Sequence, residues 1–341
     1  MTQKPASITE RSLGDGLAAS PISFGAMGMS EFYGTPPDDK TSLDILDRAL
    51  ELGVSMIDTA NIYGRGHNER LIGKFLARHP AERSNGKICV ATKFGIDRDP
   101  NDEYKRSINN APAYIRSACE ASLNRLGVEQ IDLYYAHRID PKIPVEETVG
   151  VLADLKREGK IAHIGLCEVS TATLEKAHAV HPIAALQSEY SLWTREMEDS
   201  VLPLCRKLNI GFVAYSPLGR GFLTGQYTTT DHLEAGDFRL SNPRFQSGNL
   251  QENTKLLSVL QAVAERYNCT PAQMALAWLL SREERLVAIP GTRSISRLEE
   301  NCKAAQIVLS EDTIAELNAT FTPEAIHGGR YTAEGMKGMN A

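Results

Sequence analysis

The stretch Ser55-Met-Ile-Asp-Thr-Ala-Asn-Ile-Tyr63 sets the reading of the whole chain. Apolar residues lead into Asp58, and Tyr63 follows five positions later, just ahead of Gly64-Arg-Gly66. That pattern predicts a short buried strand whose far end opens into a loop carrying a carboxylate and a phenol.

Working outward, strand and helix signals alternate. Upstream, 21–26 reads as a strand and about 39–52 as a helix, with Leu43, Leu46, Ala49 and Leu50 at helical spacing and Gly53 ending it. Downstream, further strands are expected at 87–93, 131–137, 161–166, 184–187, 210–215 and 286–289. Helices are expected between and after them, at about 67–78, 112–126, 145–158, 171–180, 197–208 and 296–306. Two more helices near 251–267 and 272–281, and a last one near 310–319, complete the set. A polar start with a small hairpin around Gly14-Asp-Gly16, an insertion over 217–250 and a Gly-rich tail over 327–341 stand outside the rhythm.

Eight strand–helix units without a linker predict an α/β fold, a (β/α)8 TIM barrel with an N-terminal hairpin and long loops at the C-terminal face. One domain over 1–341, with a core at about 20–320, is the expected organisation. A doubly wound sheet would carry Gly-x-Gly-x-x-Gly after its first strand, and here that turn reads Gly25-Ala-Met-Gly-Met.

Composition narrows the function. With 341 residues, 42% hydrophobic and 23% charged, the chain has an ordinary globular make-up. A net charge of −6 argues against nucleic acid or an anionic membrane as partner. No apolar run reaches the ~18 residues of a membrane span, and the first residues lack the apolar core of a signal peptide. Six scattered cysteines make neither a disulfide framework nor a metal site, so a reduced, cytoplasmic setting is expected. No heptad declares an interface, and the oligomeric state stays open.

In such a barrel the residues just past each strand line one mouth. In order they are Asp58 with Tyr63, Lys93, His137, Cys167-Glu168, Gln187-Ser188-Glu189, Tyr215-Ser216 and Pro290-Gly-Thr-Arg293. A phenol ionises near pH 10, and a cation beside it favours the phenolate. Lys93 is placed to be that cation, Asp58 to hold Lys93, and His137 either to bind a substrate oxygen or to share the proton with Tyr63. The group is a proton donor suited to a carbonyl oxygen that becomes an alkoxide. Taken singly, these residues read as a turn aspartate, a packed tyrosine, a solvated lysine and a core histidine. Their joint position at the ends of strands two, three and four carries the case. Met27, Met29, Phe32, Tyr33, Phe94, Trp193 and Phe222 fall near the same loops, divided between an apolar substrate wall and loop packing.

The chain resembles the aldo-keto reductases in Ile57-Asp-Thr-Ala-Asn-Ile-Tyr-Gly64, Val90-Ala-Thr-Lys93, Ile131-Asp-Leu-Tyr-Tyr-Ala-His137 and Gly159-Lys-Ile-Ala-His-Ile-Gly165. Further matches are Gln187-Ser-Glu-Tyr-Ser191, Ala214-Tyr-Ser-Pro-Leu-Gly219, Ile289-Pro-Gly-Thr-Arg293 and Leu298-Glu-Glu-Asn301. Met27-Gly-Met-Ser30 and Gly328-Gly-Arg-Tyr331 are most similar to the pyridoxal reductase, perakine reductase and fungal YakC-like branch. The resemblance implies a tetrad of Asp58, Tyr63, Lys93 and His137, with Tyr63 the general acid in reducing a small-molecule aldehyde or ketone. It also implies NADP(H) across the mouth, its nicotinamide on Tyr215 with Gln187 at the carboxamide. The pyrophosphate would lie along Ser216, Pro217, Leu218 and Gly219. Arg293 and Arg297 would meet the adenosine phosphate, with Glu300 and Asn301 at the adenine, and Ile289 and Gly291 are further cofactor-binding residues.

Two arginines four apart at a helix start suit a 2′-phosphate, which favours NADP(H) over NAD(H). Most members place Ser-Asn after strand five, where this chain has Cys167-Glu168. A thiol is a weak donor, so the nicotinamide amide would be held less firmly there, with Glu168 left to accept from it. Potassium-channel β subunits, regulatory relatives with the same fold, give the alternative expectation of a cofactor-binding partner protein. A barrel glycosidase built on Asp58 and Glu168 leaves Tyr63, Lys93 and both arginines without a task.

Overall fold

Strands β1 (Phe24–Gly25), β2 (Met56–Asp58), β3 (Cys89–Phe94), β4 (Ile131–Ala136), β5 (Ile161–Cys167), β6 (Ala185–Glu189), β7 (Gly211–Tyr215) and β8 (Leu286–Ala288) lie parallel and in chain order. They belong to a computed structural model that describes residues 9–99, 106–333, 335–336 and 338–339. The first eight residues of the expected polar start and parts of the expected tail lie outside the described residues. A parallel bridge between Ile22 and Ala288 joins the first strand to the last. The Ser23 N–H donates to the Ala288 carbonyl at 2.8 Å, and the Ala288 N–H donates to the Pro21 carbonyl at 2.9 Å. The ring therefore closes as a (β/α)8 barrel and leaves no free edge to pair with another chain.

The helices form where the pattern and caps direct them. Helix α1 (Asp39–Glu51) starts on Asp38, whose carboxylate accepts from the Thr41 N–H at 2.7 Å. Helices α2 (His67–Arg78), α3 (Pro112–Leu126), α4 (Val145–Arg157) and α5 (Thr171–Val180) follow their expected limits within a residue. Helix α6 (Val201–Leu208) begins four residues later than its apolar spacing suggests. Pro203 explains the delay, because a residue without an N–H is tolerated only in a helix's first turn. After α7 (Ser247–Arg266), helix α8 (Pro271–Leu280) opens on a capping box between Thr270 and Gln273. Helices α9 (Ile295–Lys303) and α10 (Glu311–Thr320) finish the outer ring. A feature not expected from the sequence is the antiparallel hairpin of Ile96–Arg98 with Arg106–Ile108, which stands over the mouth after β3.

The strand period of two divides the core. Phe24, Ile57, Val90, Tyr134, Ile164, Leu186 and Phe212 pack outward against the helices. Met56, Cys89, Ala91, Leu133, Tyr135, Cys167, Ala185, Val213 and Val287 fill the barrel. The floor is closed by the N-terminal hairpin of Arg11–Ser12 with Ala18–Ala19, whose Leu13 is fully buried in the inner cluster. Leu13 lies so close to β7 that a Cβ at Gly211 would come within 2.5 Å of its Cδ2. The Arg11 guanidinium donates to the Leu280, Glu283 and Leu286 carbonyls at 2.9 Å each and pins the hairpin. Truncating the plug with Leu13→Ala should cost about 2–5 kcal/mol of unfolding free energy, read from the urea midpoint at unchanged m-value.

Candidate active site

The inward columns of the strands end in polar side chains. Met56 is followed two residues on by Asp58, Ala91 by Lys93, Tyr135 by His137, Ala185 by Gln187 and Val213 by Tyr215. Period-two alternation thus carries an apolar interior up to a polar rim, and all five rim residues come from different strands or their immediate ends.

Lys93 is fully buried, and its ammonium donates to Asp58 Oδ1 and, at 2.8 Å, to the Thr59 carbonyl. Gln187 Nε2 donates to the other Asp58 oxygen at 2.8 Å. Burial works to discharge Lys93, but Asp58 outweighs it and holds the amine protonated, its pKa raised above the ordinary lysine value.

Tyr63 sits in a turn whose next residue, Gly64, has φ +54°, a conformation open to glycine at little cost. The Lys93 ammonium lies 5.2 Å from the Tyr63 ring centroid. His137 meets that ring edge-on, with centroids 5.9 Å apart and planes at 87°. Burial pushes the Tyr63 phenol up to about 12, and Lys93 opposes the shift without cancelling it. The sequence alone suggested the reverse sign, since it shows the neighbouring cation but not the loss of water around the phenol. Burial also holds the His137 pKa well below 6.5, aided by Lys93, Arg138 and Arg106. His137 is therefore a neutral imidazole, and its buried Nδ1 has no partner among the described residues. Burial raises the Cys167 thiol to about 12, so it stays protonated.

A cleft of about 570 Å³ opens above this rim. Asp58, Tyr63, His137, Cys167, Gln187, Tyr215, Ser216, Pro217 and Leu218 line it, with Ile289, Gly291, Arg293, Arg297, Glu300 and Asn301. Lys93 lies beneath the floor, behind Asp58 and Tyr63. Gly219 lies behind the wall, where a Cβ would come within 2.6 Å of the Trp193 ring. Met27, Phe32 and Tyr33 face the cleft, whereas Met29, Phe94, Trp193 and Phe222 are core residues.

The cleft's far end suits a phosphate. Arg293 donates to the Thr35 carbonyl at 2.7 Å and Arg297 to Gln226 Oε1 at 2.7 Å, both neutral acceptors, and neither arginine forms an ion pair among the described residues. They flank the start of α9, where Ser294 caps the helix and the macrodipole adds positive charge. With the Tyr215 ring at the other end, this donor set fits an extended dinucleotide carrying a terminal phosphate.

Glu168 turns the other way. Following inward-facing Cys167, it takes the left-handed conformation at φ +51° and is absent from the cleft wall. Its Oε1 accepts from the Glu189 N–H at 2.9 Å and from Arg330 Nη2 at 2.6 Å. The buried Arg330 also reaches Glu196 at 3.2 Å and Glu189 at 3.6 Å. Beside it, the Tyr331 hydroxyl meets the Tyr215 hydroxyl at 2.9 Å. Arg220 pairs with Glu189 at 3.1 Å and lies 4.9 Å from the Tyr331 ring centroid. The sequence reading noticed the tail but gave Arg330 no role, and no local pattern links residues so far apart.

This fold and site define a barrel oxidoreductase centre with a dinucleotide groove. The Aldo/keto reductase family model matches residues 21–321, and the chain belongs to that family. It is 43% identical over 316 residues to "Probable aldo-keto reductase 1" of Glycine max, covering 93% of this chain and 89% of that protein. Among solved structures, the glycerol dehydrogenase AKR11B4 from Gluconobacter oxydans superposes with a TM-score of 0.84 at 29% identity, covering 93% of this chain and 97% of that one. The thermostable aldo-keto reductase Tm1743, solved with the inhibitor epalrestat, gives a TM-score of 0.72 at 28% identity, with 92% and 99% covered. Membership makes the chain an oxidoreductase of the NAD(P)H-dependent, carbonyl-reducing kind.

The Glu168–Arg330 pair can be checked by a double-mutant cycle. Arg330→Met should cost about 3–5 kcal/mol by stranding a buried carboxylate, and Glu168→Gln/Arg330→Met should cost less than the sum of the single changes. Strict additivity in urea unfolding would show that the pair does not couple.

Proposed function

We propose that this protein reduces aldehydes or ketones to alcohols with NADPH, reversibly, and that Tyr63 delivers the proton. The observation that carries the reading is the buried Lys93 ammonium between Asp58 and the Tyr63 ring, beneath a cleft with two arginines at its far end. A bound nicotinamide supplies the hydride. Every other part of the work falls to the chain.

The carbonyl oxygen is received by the Tyr63 phenol and the neutral His137 as hydrogen-bond donors. As charge grows on that oxygen, Tyr63 releases its proton to it. Lys93 stabilises the phenolate left behind, and Asp58 keeps Lys93 charged and in place. Gln187 fixes Asp58 from β6 and stands beside the position of the carboxamide. Tyr215, tied to Tyr331, supports the nicotinamide face, and Ser216, Pro217 and Leu218 follow it along the groove. Arg293 and Arg297 favour NADPH over NADH through the 2′-phosphate, with Glu300 and Asn301 at the adenine. Cys167 offers only a weak donor near the amide, and Glu168 serves the tail instead. The likeness of Met27–Ser30 and Gly328–Tyr331 to the pyridoxal and perakine reductase branch makes pyridoxal a carbonyl to include in any screen.

Tyr63→Phe should lower NADPH oxidation with an aldehyde panel by about 10²–10⁴-fold while NADPH still quenches protein fluorescence with its original Kd. Retained turnover in that variant would sink the mechanism, and equal use of NADH by the wild type would sink the cofactor preference. The pH profile gives a second test. Reduction consumes the phenol, which is protonated far below pH 12, and His137 stays neutral down to well below 6.5. Aldehyde reduction should accordingly stay level from about pH 6 to about pH 9, whereas alcohol oxidation, which needs the phenolate, should climb up to tenfold per pH unit. An inflection of the reduction rate near 6.5 would assign the proton to His137.

A further inference from the structure

Six arginines line the cleft: Arg106, Arg138, Arg220, Arg239, Arg293 and Arg297. Four have a task. Arg220 pairs with Glu189 at 3.1 Å and Arg239 with Asp237 at 2.7 Å, while Arg293 and Arg297 stand at the phosphate end. Among the described residues, neither Arg106 nor Arg138 has a carboxylate in ion-pair range. Glu31, the acid that acts on Arg106, is taken at 2.6 Å by Arg98, its strand partner, and Glu168, the acid that acts on Arg138, is taken at 2.6 Å by Arg330.

Their position separates them from the phosphate end of the cleft. Arg138 directly follows His137 beyond β4 and donates from Nη1 to the His137 carbonyl at 2.6 Å, which fixes the guanidinium beside the reacting end. Arg106 stands on the rim hairpin after β3, its guanidinium carbon 5.4 Å from the Phe32 ring centroid. Strands four and eight lie opposite one another in an eight-stranded ring, so this pair faces away from Arg293 and Arg297 across the mouth. Both charges reach the tetrad, since each helps burial to keep His137 neutral. Phe32, Ile62 and Ile96 form apolar wall in the same half of the cleft, where a carbon skeleton would lie.

We infer that Arg106 and Arg138 form an anion subsite in the substrate half of the cleft, so that the preferred substrates are aldehydes or ketones carrying a carboxylate or a phosphate. A half-buried guanidinium at Arg138 and an exposed one at Arg106, neither in an ion pair among the described residues, place a positive potential in this concave, partly apolar half of the cleft. Their planar forks of N–H donors suit a carboxylate or a phosphate. An acidic end held at the rim would leave the carbonyl over Tyr63 and His137. This inference rests on the reductase reading and adds the substrate class to it.

The test uses the full chain with NADPH and matched carbonyl pairs: benzaldehyde with 4-carboxybenzaldehyde, and butanal with succinic semialdehyde. Glyceraldehyde with its 3-phosphate separates phosphate from carboxylate. Higher kcat/KM for the anionic member of a pair is expected. Arg106→Gln and Arg138→Gln should each lower the anion-to-neutral ratio by about ten- to a hundredfold, through KM. Raised ionic strength should lower the same ratio in the wild type. No anionic preference in any pair, or ratios unchanged in both variants, would overturn the subsite. An NADPH Kd weakened by the same factor would assign these arginines to the cofactor and overturn it equally. Neutral aldehydes still reduced, with Tyr63→Phe inactive, would leave the reductase reading standing in either case; failure to reduce any carbonyl would overturn both.

Discussion

The buried ion pair of Lys93 and Asp58 is the constraint on which the rest of this molecule turns. An ammonium removed from water costs several kcal/mol unless its partners are close and well directed. Here they come from β2, in Asp58 and the Thr59 carbonyl, while Gln187 of β6 holds the second carboxylate oxygen. The pair therefore demands that strands two, three and six meet in one register. A slip of a single residue would turn Asp58 and Lys93 into the helix layer, where neither charge has a partner. Closure of the ring through Ile22 and Ala288 fixes that register globally. Two apolar side chains would serve stability as well or better, so the pair's use lies in what it does to Tyr63.

Around this centre the second layer of charge belongs to the tail. Arg330 gathers Glu168, Glu189 and Glu196, while Arg220 shares Glu189 and stacks on Tyr331. The strand ends and the tail are thereby one electrostatic unit. Tyr215 stands at their junction, its hydroxyl bound by Tyr331 and its ring facing the cleft. Replacing an amide side chain by Glu168 after β5 removes a donor and acceptor pair from the groove and gives the tail an anchor.

What was legible in the sequence follows from the range of each interaction. Helix limits at 67–78, 112–126 and 171–180 rest on local spacing, caps and prolines, and they match the structure. The rim residues were legible because strand alternation is also local: two steps beyond Met56, Ala91, Tyr135, Ala185 and Val213 lie Asp58, Lys93, His137, Gln187 and Tyr215. Pro203 carried a local signal for the later start of α6, in its missing N–H. Glu168 was readable in part, since a residue adjacent to an inward-facing one points elsewhere, but its partner stands 162 positions away. The hairpin at Ile96–Arg98 and the sign of the Tyr63 shift depend on burial by distant segments, which no window of sequence contains.

The arrangement of charge along the cleft completes the argument. At its middle the site is close to neutral: Lys93 and Asp58 cancel, Tyr63 is a phenol, and His137 and Cys167 are uncharged. At either end stands a pair of arginines, after β8 on one side and around β3 and β4 on the other. The chain as a whole carries a charge of −6, so this positive potential is local to the cleft. Negative charge that develops on a carbonyl oxygen at the centre is then met by fixed N–H and O–H dipoles, with cations on both flanks. Those dipoles are already oriented by the barrel rim and need no rearrangement as the bond changes, which is the condition under which hydrogen bonds favour a transition state over a ground state.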